Sequence, residues 1–252
     1  VRLTVLGSGT GWITLKRSSP GYLVSADNFH LLLDIGPGTL RQILKTGLRI
    51  DEISALFITH FHPDHVSDLI PFFFATRYNL GYTRTEPFTL YGHQSFTNLY
   101  EGLKQAFGHW VCPPEGLLNL YLIEKESVTD FEIGPFQARS VGVKHNPESL
   151  AIRLEFSGKS LIYSGDTGFS EELIELAKGG DLLILECANP LGASKGFHLA
   201  PDEIAEISSR AKPKKLLLSH FYPHSEDVPL EIIQKKFSGE IILARDLLTL
   251  EL

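Results

Sequence analysis

Thr59-His60-Phe61-His62-Pro63-Asp64-His65 is the stretch on which the reading of this chain turns. It follows directly on the apolar run Ala55-Leu56-Phe57-Ile58, and it puts three imidazoles and one carboxylate within six positions. Apolar runs of this kind fit strands buried on both faces. An ionisable group is costly inside such a strand, so the first one marks where the strand leaves the core. Packing has little use for so many of these groups together. Imidazole nitrogen and carboxylate oxygen are the ligands expected for zinc or a neighbouring first-row metal. In an extended or tightly turning loop His60 and His62 can point to one side while Asp64 and His65 turn to another, which suits two adjacent ions.

The same pattern of an apolar run halted by a polar residue recurs along the chain. LLLD ends at Asp34, SVGVKH at His145, LIYSGD at Asp166, LLILE at Glu186 and KLLLSH at His220. Any one of these groups alone reads as a satisfied structural residue. Their shared placement with the first motif makes His145, Asp166 and His220 the candidates to complete a two-ion site. Helical spacing and start signals fall between these runs, at residues 38–46, 65–76, 95–107, 170–178, 201–210 and 229–237. Pro201 with Asp202 and Glu203 opens one helix, and Ser170 before Glu171 and Glu172 opens another. Strand runs without helices dominate near the N-terminus and between 119 and 164. An α/β fold is expected, with two sheets packed on each other and helices outside.

Composition bounds the alternatives. Of 252 residues 43% are hydrophobic and 21% charged, the balance of a globular protein with a sizeable core. No linker, repeat or low-complexity tract divides the chain, so residues 1–252 are expected to form a single domain. No apolar run approaches the roughly 20 residues of a membrane helix. The opening RLTVL reads as a first strand and not as a secretory signal. With Met absent even at position 1, an initiator is expected to have been removed. A cytoplasmic location without a membrane partner is expected. Cys112 and Cys187 belong to no Cys-x-x-Cys pattern and are expected to be two buried small hydrophobes. The net charge of −7 argues against a dedicated nucleic-acid binder. The basic cluster of Arg210, Lys212, Lys214 and Lys215 is read as complementing a helix C-terminus and solvating the surface.

Three further segments, Gly7-Ser8-Gly9-Thr10, Asp34-Ile35-Gly36-Pro37-Gly38 and Ser164-Gly165-Asp166-Thr167, complete a likeness. With the His-x-His-x-Asp-His motif and the Ser-His at 219–220, the chain resembles the metallo-β-lactamase superfamily from residue 3 to about 225. The resemblance is strongest to the branch of ribonuclease Z and the small cyclic-phosphate phosphodiesterases. It implies a four-layer αβ/βα sandwich with the metal site at the strand C-terminal edge of the sheets. It also implies a dinuclear metal-dependent hydrolase that uses a metal-bridging water or hydroxide as nucleophile. One divalent ion would be held by His60, His62 and His145, the other by Asp64, His65 and His220, with Asp166 bridging. Zn2+ is expected, and Mn2+ and Fe2+ accept the same ligands. Asp64 and Asp166 thereby count as catalytic residues. Asp34 either orients a ligand imidazole or caps the helix that begins after Gly36-Pro37-Gly38; both roles can hold together.

Departures from the branch are as informative as the matches. His198, in Gly196-Phe197-His198-Leu199-Ala200, falls where the branch carries a His that donates a proton or stabilises the transition state, but Ala200 stands where a hydroxyl residue is common. After His220 an Arg is common; here Phe221-Tyr222-Pro223-His224 intervenes, which makes His224 a second candidate for phosphate contact or proton donation, with Tyr222 as a hydroxyl or aromatic wall. Ribonuclease Z carries a long Gly- and basic-rich arm between the strand-end His and the bridging Asp. Here NPESLAIRLEFSGKSLIYSG fills that interval as one hairpin turning at Ser157-Gly158-Lys159. A small cyclic or nucleotide-like phosphodiester is therefore the expected substrate in preference to tRNA. The alternatives are tRNA 3′ processing, hydrolysis of a lactone, thioester or β-lactam on the same fold, and a non-enzymatic sensor that keeps the metals. The branch also suggests a homodimer. Residues 71–114, aromatic and carrying Arg77 and Arg84, read as a cover for the cleft, a base-stacking surface, a dimer face or ordinary core.

Overall fold

Each apolar run read above as a buried strand forms one. The computed structural model describes residues 1–78, 81–193 and 196–252. Its strands are β1 (Arg2–Gly7), β2 (Gly21–Ala26), β3 (Phe29–Leu33), β4 (Ala55–Phe57), β5 (Phe88–His93), β6 (Leu118–Ile123), β7 (Thr129–Ile133), β8 (Phe136–Gly142), β9 (Leu150–Phe156), β10 (Lys159–Tyr163), β11 (Leu182–Glu186), β12 (Lys215–Ser219), β13 (Glu240–Leu243) and β14 (Thr249–Glu251). Its α-helices are α1 (Thr39–Lys45), α2 (Pro63–Val66), α3 (Leu69–Arg77), α4 (Phe96–Phe107), α5 (Glu171–Ala177), α6 (Pro201–Ala211) and α7 (Leu230–Gln234).

The strands make two seven-stranded sheets, ordered β14-β1-β2-β3-β4-β5-β6 and β13-β12-β11-β10-β9-β8-β7. Each sheet is antiparallel in one part and parallel in the other: β3, β4, β5 and β6 run parallel in the first, and β10, β11, β12 and β13 in the second. Side chains alternate across the first sheet. Leu31, Leu33, Ala55 and Phe57 enter the core between the sheets, while Leu32 and Leu56 enter a second core under α1, α3 and α4. Burying one such Leu or Phe side chain contributes about 1.5–3 kcal/mol. Leu173, Ile174, Ile204 and Ile207 of α5 and α6 pack on the second sheet. Helices outside and sheets inside give the four layers expected.

Two helices depart from their expected spans. The stretch 65–76 is interrupted at Ser67-Asp68, because the Asp68 amide donates to the carbonyl of Ile35 and its carboxylate accepts from the Leu40 amide at 3.0 Å. These contacts with another segment outweigh local helix continuity. The helix expected over 229–237 is shorter, Leu230–Gln234. The hairpin between β9 and β10 is tight: Phe156 pairs with Lys159, and Ser157 and Gly158 both take positive φ, as a two-residue primed turn requires. No arm leaves this hairpin.

Other side-chain expectations divide. Cys187 is buried, but Cys112 is only half-buried, because it follows the exposed one-turn helix Gly108–Val111 on the surface. The basic cluster behaves as surface charge: Arg210 pairs with Glu171, Lys214 with Asp181 and Lys215 with Glu240. No helix among the described residues is long and apolar enough to cross a membrane. In residues 71–114, Phe72, Phe73, Phe88 and Phe96 are core, while Phe74, Tyr78 and Trp110 stack on one another at the surface. Arg84 is buried and donates to the carbonyls of Asp51, Ile53 and Glu86, and Arg77 donates to that of Cys112. Both arginines are occupied by the backbone.

Candidate metal centre

The polar residues that stop the strands converge at one edge of the sandwich. His60, His62, Asp64 and His65 follow β4, His145 follows β8, Asp166 follows β10 and His220 follows β12. Asp34 and His220 leave their strands with φ of 58° and 59°. This left-handed turn is uncommon for residues other than glycine and breaks the strand's alternation. Gly165 also has a positive φ, and a Cβ there would lie 2.8 Å from the Thr59 side chain. Only glycine lets Asp166 approach the His60 loop in this way.

Two donor groups form, overlapped by a third made of Asp166, His198 and His220. His60, His62, His145 and Asp166 each offer an atom within 4.8 Å of the others, and so do Asp64, His65 and His220. Asp166 stands between them. Its Oδ2 is 3.7 Å from His60 Nε2 and 3.9 Å from His145 Nε2; its Oδ1 is 3.3 Å from both His65 Nε2 and His220 Nε2. Asp64 Oδ2 lies 3.8 Å from His65 Nε2 and 3.6 Å from His220 Nε2. Two ligands bound about 2.1 Å from one tetrahedral ion would be about 3.4 Å apart. The Nε2 atoms of His60, His65 and His220 are buried without hydrogen-bond partners. Orphaned imidazole nitrogens are costly, and a metal ion is the partner their chemistry fits. The donor set therefore suits two divalent ions.

The remaining ring nitrogens of His60, His65 and His145 are engaged, which aims those donors, while His220 Nδ1 is buried without a partner. His65 Nδ1 is 2.7 Å from Asp34 Oδ2, and His60 Nδ1 is 3.0 Å from Thr59 Oγ1. His145 Nδ1 donates to the Phe197 carbonyl at 2.8 Å. His62 Nδ1 faces His145 Nε2 at 3.3 Å, and its Nε2 meets the Asn146 side-chain amide at 2.9 Å. Asp34 is fully buried and also accepts from the Thr59 amide, the Thr59 hydroxyl and the Tyr163 hydroxyl. Of the two roles expected for Asp34, orientation stands and capping does not. The carboxylate that accepts from the start of α1 is Asp68.

In the metal-free site the buried imidazoles divide: burial acts to lower His65, but the charges of Asp166 and Asp34 raise it well above the ordinary histidine range, whereas His60 and His145 are lowered. Burial, then the charge of His65, pushes His60 well below the ordinary histidine range; burial also lowers His145. Burial acts to raise Asp166, but the imidazoles of His220 and His65 hold it well below the usual carboxylate range. Metal ligation needs neutral imidazole and ionised carboxylate, so His60, His145 and Asp166 are ready for an ion, and His65 must first give up a proton.

His198 joins the rim of the cluster, its ring centroid 4.8 Å from that of His145 and 5.8 Å from that of His220. Its Nδ1 donates to Glu186 Oε1 at 2.9 Å. Burial disfavours its charged form, but the hydrogen bond and charge of Glu186 outweigh this and raise it to about 9. Glu186 also accepts from the amides of Thr167 and Leu199. His224 does not join the cluster in the same way: it is exposed and stacks on Tyr222 at 5.4 Å, and Tyr222 meets His220 edge-on at 6.1 Å. Sequence reasoning gave no role to Glu186, Asn146, Thr59 or Tyr163. For Glu186 the signal existed, since it ends a buried strand as the ligands do.

A sequence model of the family described as "Anti-Pycsar protein Apyc1" matches residues 1–240. The chain is 28% identical to ribonuclease Z of Brevibacillus brevis, with 89% of this chain and 86% of that protein covered. It is 25% identical to the probable metallo-hydrolase YhfI of Bacillus subtilis, with 97% of each covered. Among solved structures, the metallo-β-lactamase fold protein YhfI from Bacillus subtilis superposes with a TM-score of 0.85 at 23% identity, over 99% of this chain and 98% of that one. A diphosphatase from the PhnP family superposes with a TM-score of 0.70 at 23% identity, over 100% and 97%. The fold is that of the metallo-β-lactamases.

Proposed function

The chain belongs to the family described as anti-Pycsar protein Apyc1, and on that premise we propose that it is a dinuclear metal-dependent phosphodiesterase acting on a small cyclic or nucleotide-like phosphodiester. The observation that carries this reading is the pairing of two donor groups, shared through Asp166, with the Glu186-backed imidazole of His198 on their rim. His60, His62 and His145 would hold one ion, Asp64, His65 and His220 the other, and Asp166 one oxygen toward each. Zn2+ suits this nitrogen-rich set. Ions bound there supply an acidified water and offset charge on the phosphate.

The chain's own groups account for the rest. A phosphodiester leaves an alkoxide that needs a proton. Glu186 takes hydrogen bonds from three donors, so it fixes Nδ1 of His198 as a donor and leaves Nε2 as the other nitrogen of the ring. A proton held at that Nε2 passes to the leaving oxygen, and Glu186 stabilises the imidazolium before transfer. A thiolate leaves readily without a proton, so an acid of this kind favours the phosphoester over a thioester, while a lactone's alkoxide or a β-lactam's amine would use it as well.

Ribonuclease Z names among the relatives support a second reading, tRNA 3′ processing. The two-residue turn between β9 and β10 weighs against it, because no basic arm is present there to grip tRNA. One panel separates the readings. Metal-loaded protein is assayed on cyclic nucleotides, bis-p-nitrophenyl phosphate, a lactone, a thioester and precursor tRNA. Cleavage of cyclic or small diesters, lost on chelation, is expected. Cleavage of the lactone or thioester with diesters ignored would overturn the proposal, and turnover of precursor tRNA alone would favour the second reading.

A further inference from the structure

The two halves of the metal centre come from different sheets. Asp34, His60, His62, Asp64 and His65 follow β3 and β4 of the first sheet; His145, Asp166 and His220 follow β8, β10 and β12 of the second. Hydrogen bonds within each sheet fix each half internally. The distance between the halves depends on how the sheets meet at this edge, where aliphatic packing is non-directional. The Leu150 amide to the Thr59 carbonyl at 3.0 Å, the Phe221 amide to the Ser8 carbonyl at 3.1 Å and the Asn146 side chain with His62 at 2.9 Å also cross it.

Two buried tyrosines cross that gap in opposite directions. Tyr22, on β2 of the first sheet, donates to the hydroxyl of Ser219 at 2.6 Å, the residue before His220 in the second. Tyr163, on β10 of the second sheet, donates to Asp34 Oδ2 at 2.7 Å, the carboxylate that orients His65 in the first. Their rings pass at 4.8 Å with an interplanar angle of 56°. Burial, with the charge of Asp34, pushes both phenols up, so each stays a hydrogen-bond donor. Elsewhere the core between the sheets is filled mainly by Leu, Ile, Val and Phe.

We propose that Tyr22 and Tyr163 are reciprocal positioning residues that set the spacing between the two ligand halves. Each hydroxyl ties its own sheet to the ligand-bearing strand end of the other. Without the Tyr163 hydroxyl, Asp34 Oδ2 keeps only Thr59 and His65, both from its own half. Without the Tyr22 hydroxyl, Ser219 loses its tie to the first sheet.

The inference rests on the site binding two ions and is independent of the substrate. The test therefore reads metal binding. Full-length wild type, Tyr22→Phe, Tyr163→Phe, the double variant and Tyr91→Phe are stripped and titrated with Zn2+ against a chromophoric chelator, and with Co2+ by visible absorption. Tyr91 is a control between the sheets, its hydroxyl bound to the Glu132 carbonyl. Each Phe variant at 22 or 163 is expected to bind at least one ion about 10–100-fold more weakly, the scale of losing a residue that supports a ligand, with an altered Co2+ spectrum. The double variant should depart from the sum of the singles, because both act on one spacing. Tyr91→Phe should bind as wild type. Wild-type affinity and spectrum in both single variants, even with a lower melting temperature, would overturn the inference and leave only a packing role. If a Phe variant fails to fold, Ser219→Ala removes the Tyr22 contact from the acceptor side and is judged by the same two outcomes. Wild type that binds no pair of ions would instead sink the metal-centre reading.

Discussion

Replacing Glu186 by Gln in metal-free protein tests the electrostatics at the rim of the site. The carboxylate is buried, and its three partners, the amides of Thr167 and Leu199 and the Nδ1 of His198, all donate. A Gln side chain brings an NH2 against one of those donors, which costs about 1–3 kcal/mol. It also removes the charge that raises His198 from 6.5 to about 9. That rise corresponds to about 3 kcal/mol of preference for the imidazolium, before solvent screening of a side chain that is 25% exposed. The sign follows from linkage. A group raised in the folded state contributes fully below its unfolded value near 6.5, and the contribution fades as pH rises through about 9. Wild type should therefore exceed Glu186→Gln in stability most at pH 6, and the gap should narrow by up to ~3 kcal/mol toward pH 10. Denaturant unfolding across that range measures the gap, and NMR titration of the histidine ring carbons measures His198 directly. A gap that does not change with pH, or a wild-type His198 titrating near 6.5, would refute the reasoning. Bound cations lower the His198 value from its metal-free position, so the alkaline limb of activity in loaded enzyme should lie lower still in the variant.

His198→Ala should keep both ions by elemental analysis while turnover of an alkyl diester falls by about 10²–10⁴. Bis-p-nitrophenyl phosphate, whose leaving group needs little protonation, should lose much less; equal losses on both substrates would argue against an acid role. Asp166→Ala removes the carboxylate facing both donor groups, so metal content should fall below two ions per chain, and an unchanged stoichiometry would contradict the bridge. Gly36→Ala would put a Cβ 1.8 Å from the Asp64 carbonyl oxygen; displacement of that ligand should lower both metal affinity and melting temperature, and a wild-type melt with full metal content would refute it. Chelation should lower stability by about 2.7 kcal/mol per ion lost, relative to protein held at a hundredfold excess of Zn2+ over each dissociation constant, read as a shift in the denaturation midpoint.

Most of the fold was legible because buried strands leave a plain trace. LLILE and KLLLS read as strands buried on both faces, and both are β-strands flanked by parallel neighbours. The ligand candidates were legible for the same reason: an imidazole or carboxylate cannot remain in such a run, so it stands at the strand end, where the first motif and His145, Asp166 and His220 were found. Helix continuity at 67–68 was not legible, because the contacts of Asp68 with Ile35 and Leu40 come from another segment.

By itself, then, the sequence determined most of the strands and helices, though not β5, β13 or β14, together with the chemistry of the donors and the absence of an arm, since each is written in local pattern and spacing. Tertiary structure brought the donors into groups that match the division the resemblance implied, because residues as distant as His62 and His145 meet only when the sheets close. It also decided that His198 is backed by Glu186 while His224 lies behind Tyr222, and that Asp34 serves His65 and caps no helix. The physical reason is common to all of these: hydrogen bonds and charge interactions act over a few ångströms, and no periodicity along a chain records which distant residues will come within that range.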